Sequence, residues 1–499
     1  VLDALASLGT GFSLALTWQN LLFGFLGALL GTAVGVLPGL GPAATIALLL
    51  PLSYAIGSPL TSIIMMAGVY YGAMYGGSTT SVLLNIPGEA ASVVTCLDGY
   101  QMAQQGRAGP ALAVAAIGSF IAGTLGVLGL TFVAPPLAEF ALRFGPAEYF
   151  SLTLVGLLLA TYLSGESPVK GLIMVALGLL LGLVGLDPIA GSTRYTFGVI
   201  DLQDGLDFVT LAMGMFGIAE ILTNLEQTEE ATLVTGKVKG LWLTARDWAR
   251  SRMAILRGSL LGFFVGLLPG GGAVIASLVS YATEKKVSRQ PEEFGRGAIE
   301  GVAGPESANN SAATASFIPL LTLGIPGNAS IAMLFAALLV NGITPGPFLI
   351  KEHPDVFWGV VASMYLGNAM LLVLNLPLVG LWVQLLKVPF AILAPIVVLF
   401  CTVGVFSVKN GVFDIFIMLG FGIAGYLLRK LRFEPGPLVL AFVLGPILER
   451  SLRQALLISG GDLATFVTRP ISGSFIAVFV LLILSQAVKS RRRPLPWPK

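Results

Sequence analysis

Charge is what this 499-residue chain has least of: 11% of residues are Asp, Glu, Lys or Arg, where soluble domains carry about 25%. Twenty-eight basic and 26 acidic residues cannot provide the polar skin of a soluble protein this long. No charged residue occurs from Ala4 through Gly88, nor from Ser307 through Ile350. Stretches that long and uncharged read as membrane spans. A soluble enzyme, a nucleic-acid binder and a disordered scaffold are excluded by composition, and the net charge of +2 implies no polyanion partner. Aromatics make up 9%, and no apolar–polar alternation repeats along the chain, which argues against an outer-membrane barrel. The two cysteines, Cys96 and Cys401, stand in no metal-ligand or CxxC spacing, so no disulfide or cluster is expected. The single histidine, His353, reads as an exposed loop residue. No basic region precedes the first apolar segment, so no secretory signal is expected.

What the chain has instead is apolar bulk and glycine: 55% hydrophobic residues, a mean hydropathy of +0.88 and 62 glycines. The expectation is an all-α polytopic membrane protein with about 10–13 crossings. Several apolar segments are too short to cross and are bounded by Pro and Gly, which predicts re-entrant or broken helices lining a cavity. Gly24, Gly27, Gly31 and Gly35 recur at spacings of three and four, as small residues do where transmembrane helices pack closely. The stretch Glu226–Arg257 carries Lys237, Lys239, Arg246, Arg250, Arg252 and Arg257 together with Trp242 and Trp248. It reads as a cytoplasmic, interfacial divider, and the basic tail after Val488 as cytoplasmic too.

Self-similarity divides the apolar bulk into two. Gly35-Val36-Leu37-Pro38-Gly39-Leu40-Gly41 returns 231 residues on as Gly266-Leu267-Leu268-Pro269-Gly270-Gly271-Gly272, and Ile86-Pro87-Gly88 returns 239 on as Ile325-Pro326-Gly327. Gly171 and Gly185 return as Gly411 and Gly425, and Phe216–Glu220 resembles Leu444–Glu449. The expected organisation is an N-terminal helix (1–30), a first membrane repeat (31–222), a basic linker (223–261), a second repeat (262–449), and a loop, final helix and basic tail (450–499). The first 250 residues hold 8 basic and 15 acidic groups, the rest 20 and 11. Matching loops differ in basic content in the same sense, which suggests that the repeats are inverted. Arg450, Arg453 and Arg469 would then face outward, against that trend.

Each repeat holds two devices. The first is a Leu-Pro-Gly turn, Pro38–Pro42 and Pro269–Gly272, that stops one helix and starts another, freeing backbone N–H groups able to hold an anion. The second is a hydroxyl-and-amide cluster before an Ile-Pro-Gly turn. It comprises Ser78, Thr79, Thr80, Ser81 and Asn85 in the first repeat, and Asn309, Asn310, Ser311 and Thr314, leading to Gly324, in the second. Such groups suit a carboxylate substrate and Na⁺, and paired discontinuous segments mark the midplane site of secondary transporters. The alternative is that the hydroxyls only glue helices together. Candidate substrate-binding residues are these nine with Gly39, Gly41, Gly271 and Gly272. Candidates for cation coupling are Pro87, Gly88, Glu89, Glu306, Pro326 and Gly327, with possible Na⁺ positions near Asn85 and Gly324. Glu89 and Glu306 are intramembrane acids and so functional candidates, or else they sit on a solvated hairpin rim. Glu220 and Glu449 read as structural, Glu449 pairing with Arg453 four residues on. No Gly-Lys-Ser/Thr follows the Gly-rich turns, which excludes a Walker ATPase. No catalytic dyad or triad is present, and no ring-forming channel filter.

At these residues the sequence resembles the large membrane subunit of the tripartite tricarboxylate transporter family (TctA-type). The resemblance rests on Gly35–Pro42, Tyr75–Gly88, Arg194–Gly198, Gly214–Leu222, Gly266–Gly272, Asn309–Gly327, Asn341–Pro347, Phe442–Glu449, Gly461-Asp462 and Thr468-Arg469-Pro470. It covers nearly the whole chain. It implies carboxylate uptake across the bacterial inner membrane, with a periplasmic solute-binding protein, a small membrane subunit, and a Na⁺ or H⁺ gradient but no other cofactor. A stand-alone organic-anion carrier is the alternative. A homo-oligomer is compatible with the sequence.

Overall fold

The computed structural model describes the chain except for residues 1, 38–40, 164–166, 188, 227–239, 269–271, 387, 389 and 493–499. It is helical almost throughout. The first half runs α1 Leu2–Ala15, α2 Trp18–Val36, α3 Pro42–Ala55, α4 Pro59–Leu84, a 3₁₀ turn Ala90–Ser92, α5 Val93–Gln104, α6 Ala108–Ala141, α7 Pro146–Leu163 and α8 Pro168–Leu181. A two-residue antiparallel hairpin, β1 Gly185–Leu186 with β2 Thr193–Arg194, precedes α9 Phe208–Ala212, a π-helical turn Met213–Ile218 and α10 Ala219–Glu226. The second half runs α11 Ala245–Gly266, α12 Gly272–Val287, α13 Glu300–Ala315, α14 Phe317–Leu323, α15 Ala329–Val340, α16 Leu349–Glu352, α17 Pro354–Asn375 and α18 Val379–Leu385. It ends with α19 Phe390–Lys409, α20 Val412–Lys430, α21 Pro435–Ile458, α22 Thr465–Thr468 and α23 Pro470–Arg492.

Proline starts many of these helices, where its missing N–H costs nothing: α3, α4, α8, α17 and α21 all carry it in the first turn. Left-handed residues stop α4 and α14, at Asn85 (φ 60°) and Gly324 (φ 68°). Among the described residues, six helical segments are long and apolar enough to cross a bilayer: Trp18–Val36, Ala108–Ala141, Phe208–Glu226, Pro354–Asn375, Val412–Lys430 and Pro435–Ile458. The protein is thus a multi-pass, all-α membrane protein. The larger expected number of crossings counts elements that fall short singly. At 26 residues α4 has the length, but Gly, Ser and Thr dilute its apolar character, whereas α3 (14 residues) and α15 (12 residues) are too short alone. Cys96 and Cys401 are free thiols.

Two helix pairs frame the interior. A methyl group added at Gly27, Gly31 or Gly35 of α2 would overlap the carbonyl oxygen of Met65, Val69 or Ala73 of α4. The same arrangement recurs where Gly258, Gly262 and Gly266 of α11 meet Gly304, Ala308 and Ala312 of α13. The second set stands 231 and 239 residues after the first, the offsets of the two turn motifs. Contact numbers rise together in both pairs, so each pair is parallel. Gly359 and Gly367 of α17 meet Leu60 and Tyr71, which makes α17 parallel to α4. Gly118 and Gly126 of α6 meet Ser307 and Thr314, which makes α6 parallel to α13. But α6 and α17 cross in opposite directions, Gly123 against Asn368 and Thr131 against Tyr365. The two pairs therefore run antiparallel to each other.

Ion pairs tie the hairpin after α8 to α21. Buried Asp187 accepts hydrogen bonds from Arg194, from Arg453 (2.9 Å) and from the Ile189 N–H (2.8 Å). Glu449 takes the same two arginines, including the i,i+4 partner Arg453 at 3.0 Å. Glu220 pairs with Arg429. Burial alone would raise the Asp187 carboxyl, but Arg194, the Ile189 N–H and Arg453 outweigh it and hold the group well below the usual carboxylate range. The stabilisation is therefore present above about pH 4, the unfolded value, and is lost as pH falls toward the lower folded value.

Two outcomes are expected. Gly31→Ala or Gly262→Ala should each lower stability by about 1–3 kcal/mol, read as a drop in the melting temperature of the detergent-solubilised protein. Gly9→Ala, with nothing within 4 Å of the new methyl, should not. Asp187→Asn should lower the melting temperature at pH 7 and flatten its decline below about pH 4.

Candidate functional site

The interior seams bring the two turn motifs of each half together. Residues 38–40 and 269–271, with Gly39 and Gly271 among them, lie outside the described residues. Gly41 is the N-cap of α3, with φ −75° and ψ 164°, and Gly272 opens α12 at φ 49°. Gly88 of the first Ile-Pro-Gly turn lies against the Gly35 carbonyl and the Gly77 backbone, with no room for a side chain. In the second half, a methyl at Gly272 would stand 3.8 Å from Cβ of Asn328, the residue after Ile325-Pro326-Gly327. Pro326 and Gly327 are buried and Pro87 is partly so.

The hydroxyl clusters sit on continuous helix, not on the unwound chain expected. Ser78–Ser81 belong to α4 and Asn309–Thr314 to α13, so their carbonyls bond within the helix and only side chains are free to act. The interruptions fall later, at Asn85 and Gly324. Asn85 is exposed and stands apart from the buried cluster, whereas Gly324 is buried against the Pro345 carbonyl. Three of the candidate hydroxyls tie one element to another, and a fourth bonds within its own helix. Thr80 donates to the Val36 carbonyl of α2, Ser81 to Ser92 Oγ at 2.9 Å, and Ser311 to the Ser259 carbonyl of α11 at 2.7 Å. Thr314 donates to the Asn310 carbonyl one turn back, at 3.0 Å. Ser78 and Thr79 instead line a cavity of about 10 Å³ with Tyr75, Ser119 and Asn375. That is room for about one water. Asn310 joins this wall from α13, its Nδ2 donating to Ser119 Oγ at 2.6 Å.

The two acids lie inside. Glu89 and Glu306 are 6% and 1% exposed, which removes the solvated-rim alternative. Glu89 caps the 3₁₀ turn, Oε2 accepting from the Ala91 N–H at 2.7 Å, while Oε1 accepts from Asn309 Nδ2 of the other half at 3.2 Å. Thr95 Oγ1 donates to Glu306 Oε1. Glu306 Oε2 and Asn309 Oδ1 are buried without a hydrogen-bond partner among the described residues. Across the interior Asn328 Nδ2 donates to Tyr70 Oη at 3.3 Å. The two cross-contacts are related by the repeat: Asn309 is Tyr70 plus 239, and Asn328 is Glu89 plus 239. Along α4, Glu89 packs beside Gly77 and Asn328 beside Tyr70, seven residues apart, or about 10 Å at 1.5 Å per residue. The interruptions thus converge on the middle of the frame.

Sequence reasoning missed Tyr70, Thr95, Ser119, Asn328, Asn368 and Asn375. Asn328 was detectable, because it follows the second Ile-Pro-Gly where Glu89 follows the first. Asn368 and Asn375 stand seven apart on the apolar helix α17, hence on one face. Asn368 accepts from Tyr75 Oη and donates to Thr124 Oγ1 at 2.9 Å. Nothing local marks Ser119 or Thr95.

The multi-pass helical bundle, with buried acids, amides and hydroxyls between antiparallel helix pairs, falls with the membrane transport proteins by family match. Residues 21–440 match the Tripartite tricarboxylate transporter TctA family, and the chain is a member of that family, a transporter large subunit rather than an enzyme. It is 51% identical over 495 residues, 99% of this chain and 98% of the relative, to an uncharacterized 52.8 kDa protein in the TAR-I ttuC' 3' region of Agrobacterium vitis. A second Agrobacterium vitis relative, an uncharacterized protein in the TAR-II ttuC' 3' region, is 52% identical over 234 residues, 46% of this chain and 97% of the relative. No solved structure matches.

The geometry separates lining from tying hydroxyls. Ser78→Ala and Thr79→Val should cut substrate uptake by about tenfold while shifting the melting temperature little. Thr80→Val strands the buried Val36 carbonyl and should lower stability by about 1–3 kcal/mol. Uptake and melting measured on the same three preparations check this.

Proposed function

We propose that this chain is the membrane-spanning core of a binding-protein-dependent carboxylate uptake system of the bacterial inner membrane. A periplasmic solute-binding protein delivers a di- or tricarboxylate, and a small membrane subunit accompanies the core. The 31–222 and 262–449 regions act as inverted repeats, and the carboxylate is held between them at the midplane while access alternates. The observation that carries this reading is the reciprocal pair of cross-contacts, Glu89 with Asn309 and Tyr70 with Asn328, set in antiparallel helix pairs. A two-fold axis in the membrane plane relates such contacts, as expected of inverted-repeat carriers.

Coupling to a cation follows from charge. No arginine or lysine bonds to the Glu89, Glu306 and Asn309 cluster among the described residues, and two acids are already buried there. Adding an anion to that cluster is very costly without an incoming positive charge. The bare oxygens, Glu306 Oε2 and Asn309 Oδ1, are suited to accept either Na⁺ or a proton-bearing group. Pro87, Gly88, Pro326 and Gly327 shape the turns that carry Glu89 and Asn328 into the cluster.

Uptake of labelled carboxylate into membrane vesicles holding all three components tests the scheme. A Na⁺ gradient should drive accumulation, and Glu306→Gln should reduce it by about tenfold or more with the protein still folded. Accumulation driven by pH and indifferent to Na⁺ would assign the coupling to protons. Accumulation indifferent to both gradients would sink the cation-coupled reading.

A further inference from the structure

A second polar cavity lies away from the buried cluster. Its volume is about 520 Å³, and it opens where the loop before α6, the start of α11 and the loop at 293–297 meet. That size suits a small polar ligand or a headgroup. Since α6, α11 and α13 run parallel, it sits at the N-terminal ends of all three. Four arginines line it, Arg107, Arg246, Arg250 and Arg296. Arg107 is neutralised by Asp247, and Arg250 by Glu293 (2.7 Å) and Glu300 (2.7 Å). Arg246 and Arg296 are exposed and form no ion pair among the described residues; with three carboxylates beside the four arginines, the cluster keeps a net positive charge.

The surroundings identify the level of the bilayer at which this cavity lies. Exposed Trp242 and Trp248 bracket Arg246, as aromatic anchors do at the headgroup region. Below Arg246 on the same face of α11, at 7, 14 and 18 residues, come Met253, Leu260 and Phe264, all exposed. Arg257 lies on this face between Met253 and Leu260, its charge met by Glu284 at 2.5 Å. The cationic cavity thus leads, past one neutralised arginine, to exposed apolar side chains.

We propose that this cavity binds the headgroup of an anionic phospholipid, whose acyl chains lie along Met253, Leu260 and Phe264. A soluble anion would use the guanidiniums but not the stripe. The lipid uses both, and its negative charge complements Arg246 and Arg296. The site does not depend on the transport reading, and its test needs no transport.

The full-length protein in neutral detergent is titrated with phosphatidylglycerol, with phosphatidylcholine and with soluble glycerol phosphate. Bound lipid is counted by native mass spectrometry, and the melting temperature is followed in parallel. Phosphatidylglycerol should bind and raise the melting temperature, and phosphatidylcholine should do neither. Rising ionic strength should weaken the binding. The double variant Arg246→Gln, Arg296→Gln should bind phosphatidylglycerol about 25-fold more weakly, roughly fivefold per arginine at a membrane surface. Its melting temperature in phosphatidylcholine should match the wild type, which verifies folding. Arg143→Gln, at an exposed arginine just past the opposite end of α6, should change nothing. Undiminished binding by the double variant, salt-independent binding, or an equal effect of glycerol phosphate alone would each overturn the proposal.

Discussion

Backbone touching backbone is the constraint on which the rest of the molecule depends. Within a bilayer no hydrophobic force draws one apolar helix to another, so association rests on close packing and on hydrogen bonds. The glycines of α2 and α11 let those helices lie directly on the carbonyls of α4 and α13. At that separation a threonine on α4 reaches the carbonyl of α2, and a serine on α13 that of α11. The Ile-Pro-Gly turn can then fold back until Gly88 meets Gly35. Any side chain along these seams would push the turns outward and withdraw Glu89 from the interior.

The close frame then determines what the polar residues can do. Burial strips them of water, so each must find a partner or stay bare at a cost of about 1–3 kcal/mol. Most find one, and those bonds hold helices together. Among the described residues seven buried side-chain atoms do not, Glu306 Oε2 and Asn309 Oδ1 among them. The proposed cation site would draw on that retained cost, beside a second buried acid. The surface arginines contrast with these oxygens. Their charges remain hydrated and can attract anions to the rim without any cost to the core.

Much of this was legible in the residues. The absence of charge gave the all-α membrane class, and the glycine spacing of Gly27, Gly31 and Gly35 gave a helix contact. The turn motifs at offsets of 231 and 239 marked where α2 and α11, and α4 and α14, end, because the same local chemistry stops helices in both halves. Hydroxyl function was less legible. Ser78 through Ser81 look alike in sequence, yet two line a cavity and two tie helices, a difference of 100° per residue around one axis. Helical continuity through Ser78–Ser81 was hidden too, since glycine and hydroxyl content lowers helix propensity without forbidding a helix that neighbours enclose. Partners such as Ser119 and Thr95 are set by tertiary crossing and carry no local mark.

The frame repeats, but its two locks are chemically unequal. One joins an acid to an amide, Glu89 to Asn309, and the other joins a phenol to an amide, Tyr70 to Asn328. Parting the first leaves a carboxyl group in need of new solvation, while parting the second leaves only neutral dipoles. Under the alternating access proposed above, the mirror-image walls would carry latches of unequal cost, and the cheaper release would set the resting face.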